Sequence, residues 1–377
     1  MAFERDNITA LHAYVPGEQP TAVQTAAGQI IKLNTNENAY PPSPSVMTAI
    51  AQVSAEALRL YPSAASDGFR AIAAALHKLD VAQVIATNGG DELLRLLVTV
   101  YCQPACESVG GLPQGGGLGM SDPSYSLYGV LAGIHDTPVV TVSRDDEPCG
   151  GFALPQDYMA QLNAAGCQLA FVVNPHAPSG RLESLDALRA MADAFKGVLV
   201  IDEAYIDFAP EDYESGIALI AEGRENVVVL RSLSKGYALA GLRFGYGLAS
   251  TALVASLDKA RDSYNLDALA QAAATAALQD QPYARGRWAQ TRGERDRLII
   301  ALKKRGFETP VSHTNFVLSR VPTPGPTAGD YYRALKEAGI LIRYFNTPRL
   351  ADRLRMTVGT ADQNDALLTA LDRVSGC

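Results

Sequence analysis

The chain has no uninterrupted apolar run long enough to span a bilayer. Residues 1–8 are polar and charged, without the apolar core of a secretory signal, so neither a membrane span nor export is expected. An excess of positive charge is missing too. Asp and Glu number 40 against 32 Lys and Arg, a net charge of −8, which argues against nucleic acid or an anionic membrane as the main partner. Only a local arginine cluster could override that sign for an anionic ligand. Cysteine is scarce: Cys102, Cys106, Cys149, Cys167 and Cys377 are an odd set without the double pair of a zinc site. Cys102 and Cys106 would make half a metal site with no second half. No metal is expected, and reduced thiols in the cytoplasm are. Internal repeats are absent as well.

What is present is a globular enzyme's composition. Hydrophobic residues make up 47% and charged residues 19% of 377, enough for two domains with real cores. Strand and helix patterns alternate, which predicts an α/β fold with a mostly parallel sheet sandwiched by helices. Residues 84–87, 138–142, 169–173, 198–201, 227–230 and 242–248 read as strands, several of them continuous apolar runs of the kind buried on both faces. Helices are expected at 91–100 and 182–195. Past about residue 250 the texture changes to long helices at 268–278 and 284–304. Short β segments at 315–318, 340–343 and 354–358 follow, then a closing helix at 362–374. This divides the chain into a large α/β domain, 45–260, and a smaller α+β domain built from 1–44 and 261–377. Residues 110–119 are glycine-rich and read as a surface loop.

Four stretches carry candidate chemistry. In Ser232-Leu233-Ser234-Lys235, a lysine follows a buried strand beside two small hydroxyls. Partial burial lowers lysine basicity, and neutral lysine is a nucleophile. The serines and Arg243, eight residues on, can bind a phosphate. By itself such a stretch is usually just a loop. Asp202, in Val200-Ile201-Asp202-Glu203-Ala204-Tyr205, sits where an apolar strand ends, the place α/β folds put ligands. It could pair with a protonated ring nitrogen; a helix N-cap is the plainer alternative. Asn88-Gly89-Gly90-Asp91-Glu92 opens a helix, whose free N–H groups can take a phosphate, although an ordinary turn reads the same way. Asp122-Pro123-Ser124-Tyr125, then Tyr128, offers an aromatic that could stack on a flat ring or simply fill a core.

In order and spacing these stretches resemble the fold-type I pyridoxal 5′-phosphate (PLP) aminotransferases, and within them the histidinol-phosphate aminotransferase family. The resemblance runs from Leu33-Asn34-Thr35-Asn36-Glu37-Asn38 and Tyr61-Pro62 to Arg343 and Leu354-Arg355-Met356-Thr357-Val358-Gly359. It implies PLP as cofactor, a small-molecule amino donor, a 2-oxo acid acceptor and a homodimer. Lys235 would carry the cofactor and act as the base that moves the proton, Asp202 would pair with the ring nitrogen, Tyr205 would donate to the ring oxygen, and Tyr125 would stack. Gly90, Asp91, Ser232, Ser234 and Arg243 would form the phosphate cup, joined by Tyr61 from the neighbouring subunit. Tyr14, Asn38, Arg343 and Arg355 would meet substrate, with L-histidinol phosphate and 2-oxoglutarate the expected pair. An aromatic aminotransferase, or a decarboxylase of a phosphorylated amino acid, is the alternative. Two departures stand out. The family's Asn-Pro-Asn-Asn-Pro-Thr-Gly is here Asn174-Pro175-His176-Ala177-Pro178-Ser179-Gly180, with Ala177 in place of an asparagine that contacts the ring oxygen. Asn174 and His176 are therefore possible site residues. Residues 106–120 are also longer and richer in glycine than the family norm.

Overall fold

The computed structural model describes residues 3–14, 17–19, 24–25, 28–105, 116–147 and 151–376. Its main sheet has seven strands: β1 Val84–Thr87, β2 Leu118–Asp122, β3 Val139–Ser143, β4 Leu169–Val173, β5 Val198–Asp202, β6 Val227–Ser232 and β7 Gly245–Ala249. The spatial order is β1-β7-β6-β5-β4-β2-β3. Only β7 runs antiparallel to its neighbours; the other pairings are parallel. β4 is buried along its whole length and β5 from its second residue on, which explains why they read as unbroken apolar runs. The same geometry brings the C-terminal ends of β1, β2, β4, β5 and β6 to one edge. Asn88, Asp122, Asn174, Asp202 and Ser232 lie at those ends, so five stretches distant in sequence share one rim.

A second sheet joins the short strand Ile31–Leu33 to β8 Phe316–Arg320, β9 Ile340–Tyr344 and β10 Arg353–Thr357, in the order β8-β10-β9 and then the short strand. Leu33, Val317, Leu354, Met356, Leu367 and Leu371 share its core. The closing helix, Ala361–Ser375, is started by a capping box between Thr360 and Gln363, a feature worth about 1 kcal/mol.

Two expectations change. The helix Ala268–Gln279 buries Ala270, Ala273, Ala274 and Ala277 in the core of the large sheet, not the small one. Its small-residue face allows close packing on the helices Pro44–Ala51 and Asp67–His77. The boundary expected at 260 therefore falls ahead of a helix that packs with the large sheet. The glycine-rich loop expected at 110–119 is not all loop: β2 begins at Leu118, well inside the sheet. A Cβ on Gly119 would lie 2.6 Å from Leu162, and one on Gly117 2.6 Å from the Pro138 carbonyl, so these glycines serve packing. Residues 110–115 lie outside the described residues.

The helix Gln281–Lys304 spans both cores, with Ala284 in the large one and Leu298, Ile299 and Leu302 in the small one. Among the described residues no helix is long and apolar enough to cross a membrane, and no cluster of His, Cys, Asp and Glu could hold a metal.

Candidate active site

Lys235 stands in the tight loop after β6, where the Leu239 N–H returns to the Leu233 carbonyl at 3.0 Å. Its Nζ donates to the Thr35 carbonyl at 3.1 Å and lies 5.9 Å from the centre of the Tyr205 ring. Burial, then the nearby Arg355 and Arg243 guanidiniums, lower its pKa to about 8 against the opposing pull of Glu37 and Asp91. The loop is held from outside. Asn38 Nδ2 donates to the Lys235 carbonyl at 2.9 Å, and Trp288 Nε1 to the Gly236 carbonyl at 2.8 Å. A Cβ on Gly236 would overlap the Asp207 carboxylate at 2.0 Å, so only glycine fits beside the lysine.

Asp202, at the end of β5, is buried. Tyr128 Oη donates to its Oδ2 at 2.6 Å and the Ala204 N–H to its Oδ1 at 3.0 Å. Burial raises its pKa to about 6 even though both donors pull it down. Tyr205 Oη accepts from Asn36 Nδ2 at 3.0 Å, and burial pushes its phenol pKa up. Tyr125 is edge-on to both Tyr128 and Tyr14, at 5.5 and 6.2 Å, and donates weakly to Asp91 at 3.4 Å.

A cup with donors on three sides lies beside the lysine. Gly89, at φ +75°, starts the helix Gly89–Tyr101; a Cβ there would stand 2.7 Å from Arg243 Nη2. That glycine lets the guanidinium lie against the helix start. Arg243 pairs with Asp91 at 3.0 Å, and its Nη1 reaches Ser234 Oγ at 3.5 Å. Ser232 Oγ accepts the Ser234 N–H at 3.2 Å, which leaves its hydroxyl proton to donate. Helix-start N–H groups, two hydroxyls and a guanidinium suit a phosphate.

Arg343 and Arg355 sit directly opposite one another on β9 and β10. Like charges so placed destabilise a sheet. Among the described residues neither has a carboxylate in ion-pair range, and Arg355 Nε is buried with no hydrogen-bond partner. Burial, with Arg343 adding to it, lowers the Arg355 pKa. Its plane is fixed between the Phe316 and Phe345 rings, each 5.3 Å away, and Nη2 donates to the Asn34 carbonyl at 3.1 Å.

The family model for aminotransferase class I and II matches residues 28–371. The chain belongs to that family. It is similar to histidinol-phosphate aminotransferase 1 of Nostoc sp., 40% identical over 97% of this chain and 96% of that one. It is equally similar, 40% over 97% of both chains, to histidinol-phosphate aminotransferase of Citrifermentans bemidjiense. The crystal structure of histidinol-phosphate aminotransferase from Sinorhizobium meliloti in complex with pyridoxal-5′-phosphate superposes with a TM-score of 0.84. It is 26% identical, covering 100% of this chain and 98% of that one.

Not every sequence candidate of this aminotransferase converges on the lysine. Tyr61 is 81% exposed and stacks on Tyr264 at 4.5 Å, facing away from its own chain's interior. The Asn38 side chain is engaged with backbone: besides the Lys235 carbonyl it accepts the Tyr40 N–H at 3.0 Å. Asn174 is buried and bonded to the Glu183 N–H and to Tyr213 Oη. His176 is fully buried, with Nδ1 2.7 Å from Ser179 Oγ and Nε2 2.9 Å from the Pro123 carbonyl. Nε2 must donate to that carbonyl, so Nδ1 accepts from the serine. Burial, first of all, holds its pKa well below the usual histidine range, and the ring is neutral with both nitrogens in use. Ala177 beside it is buried too. Three contributors were not singled out for these roles: Asn36 on Tyr205, Trp288 on the lysine loop, and Tyr128 as a donor to Asp202. Only the last left a trace, because a tyrosine in an apolar helix needs a partner for its hydroxyl.

Proposed function

We propose that this chain is a PLP-dependent aminotransferase that takes the amino group of L-histidinol phosphate and passes it to 2-oxoglutarate in histidine biosynthesis, as a cytoplasmic homodimer. One observation carries the reading: two arginines that have no carboxylate partner among the described residues share the site with a lysine whose pKa burial and Arg355 lower to about 8. An anionic substrate and an amine-transfer group are thereby brought together.

The residues present fit PLP. The orphaned Arg355 Nε, the glycine cradle at Gly89 and the buried acid at Asp202 each answer a part of such a complex. When bound, PLP supplies the carbonyl that captures an amine and the ring that withdraws electrons from it. Gly90, Asp91, Ser232, Ser234 and Arg243 hold the phosphate. Asp202 keeps a proton on the ring nitrogen, Tyr205 donates to the ring oxygen, and Tyr125 covers one ring face. Lys235 Nζ would anchor the cofactor and, once freed, would take the proton from the substrate carbon that bears the amino group. Asn38 orients that lysine through its carbonyl. Arg343 and Arg355 grip the substrate's anionic end, and Tyr14 closes beside Tyr125. Tyr61 serves the phosphate cup of the second protomer. Its exposure, with that of Met47, Leu58 and Leu60, supports a contact with another copy.

Two experiments test this. The holoenzyme should show a visible cofactor band that bleaches with histidinol phosphate, and should form glutamate from 2-oxoglutarate. Higher kcat/KM with aromatic amino acids, or carbon dioxide release from a phosphorylated amino acid, would replace the substrate assignment. Mixing Tyr61→Phe with Lys235→Ala chains should restore one intact site per heterodimer; no gain in activity refutes sharing through Tyr61.

A further inference from the structure

Tyr128 has no role in the function proposed above, yet it makes the shortest contact to Asp202. It is the second residue of the helix Leu127–Ile134 and has no exposed surface. Its ring packs on Phe171 at 4.6 Å, and its hydroxyl reaches Asp202 Oδ2 at 2.6 Å. The charged groups that face Asp202 are Asp91, from the start of the helix Gly89–Tyr101, and Glu203, next in its own chain. Both are negative and favour its protonated form. Against them stand Tyr128 and the Ala204 N–H. A phenol that donates to a carboxylate makes it a weaker base and fixes its plane.

We propose that Tyr128 is a positioning residue that keeps Asp202 ionised and oriented, and so decides how firmly the proton shared with the cofactor's ring nitrogen stays on nitrogen. The inference rests on the PLP reading and on Asp202 as the ring partner. Without the phenolic donor the carboxylate becomes more basic and competes for that proton. The ring is then a poorer electron sink, so turnover falls while substrate grip, made by Arg343 and Arg355, does not.

The test uses holoenzyme loaded with PLP carrying ¹⁵N at the ring nitrogen. In the wild type the nitrogen signal should lie at the protonated position; Asp202→Asn should move it to the neutral position and set the scale. Tyr128→Phe should move it part of the way, with kcat down about tenfold, the loss of one hydrogen bond to a charged group, and KM within twofold. Should the phenylalanine variant fold poorly, 3-fluorotyrosine placed at position 128, a stronger donor of the same shape, should move the signal further toward protonated. A wild-type signal at the neutral position, or one that Asp202→Asn leaves unmoved, sinks the reading of Asp202 itself. A signal that follows Asp202→Asn but ignores both changes at 128 overturns the role of Tyr128 alone. Equal losses in kcat and KM without a nitrogen shift would mean that Tyr128 only packs.

Discussion

The two charged ends of the site treat burial in opposite ways. Asp202 is enclosed by donors on both oxygens, from Tyr128 and Ala204. Arg355 is only partly enclosed, by aromatic faces, a backbone carbonyl and another cation, with its buried Nε left bare. A buried charge without a full partner set costs free energy, and the fold tolerates it where a ligand completes the set. The first end has its acceptors met by donors, and the second keeps a donor without an acceptor. Lys235 feels the second end: burial and the Arg355 guanidinium lower its pKa to about 8.

Removing the lysine has the largest effect. Lys235→Ala should reduce transamination below detection while both ends, and noncovalent PLP binding, persist. Equilibrium dialysis with PLP and an activity assay check this; near-normal turnover would deny the lysine its role. Next, Asp202→Asn should lower kcat by on the order of 10²–10³, as removing a preorganised electrostatic partner does, with substrate binding little changed. A loss shared equally between kcat and KM would make the aspartate a structural residue and dissolve the contrast. Arg355→Lys acts at the open end: charge is kept, but the planar fork between two phenylalanine rings is lost. KM for anionic substrates should rise roughly tenfold with kcat nearly unchanged. Unchanged KM for every anionic substrate removes Arg355 from the site. The smallest effect concerns the lysine's own proton. Only neutral lysine attacks PLP, so capture by cofactor-free protein should speed up about tenfold per pH unit below pH 8 and level off above it. A rise that continues toward pH 10 would mean that burial and Arg355 do not act on Nζ as described.

Much of this was legible from the sequence. Parallel strands buried on both faces announce themselves as apolar runs, and ligands gather where such strands end, so Asp202, Ser232 and Asn88 could be placed together. Pattern shows that a face is buried but not what buries it. The alanine stripe of Ala268–Gln279 was readable as helix, whereas its choice of the large core was not. Gly117 and Gly119 looked like loop because glycine in a strand is rare unless another group comes close, as Leu162 and the Pro138 carbonyl do here. His176 lay in a site motif and carried a plausible donor, but its proton is held by the Pro123 carbonyl, a contact set by tertiary structure alone. Asn38 is bonded to the Lys235 carbonyl and Tyr128 to Asp202, and such partners leave no spacing rule in the chain.

The chain contains a single tryptophan, Trp288, whose indole N–H is bonded to the carbonyl next to Lys235 and whose ring stands edge-on to Tyr237 at 5.4 Å. Indole emission therefore comes from one place, one hydrogen bond away from the residue that follows Lys235. The protein carries its own optical probe of that loop, readable by fluorescence without a label.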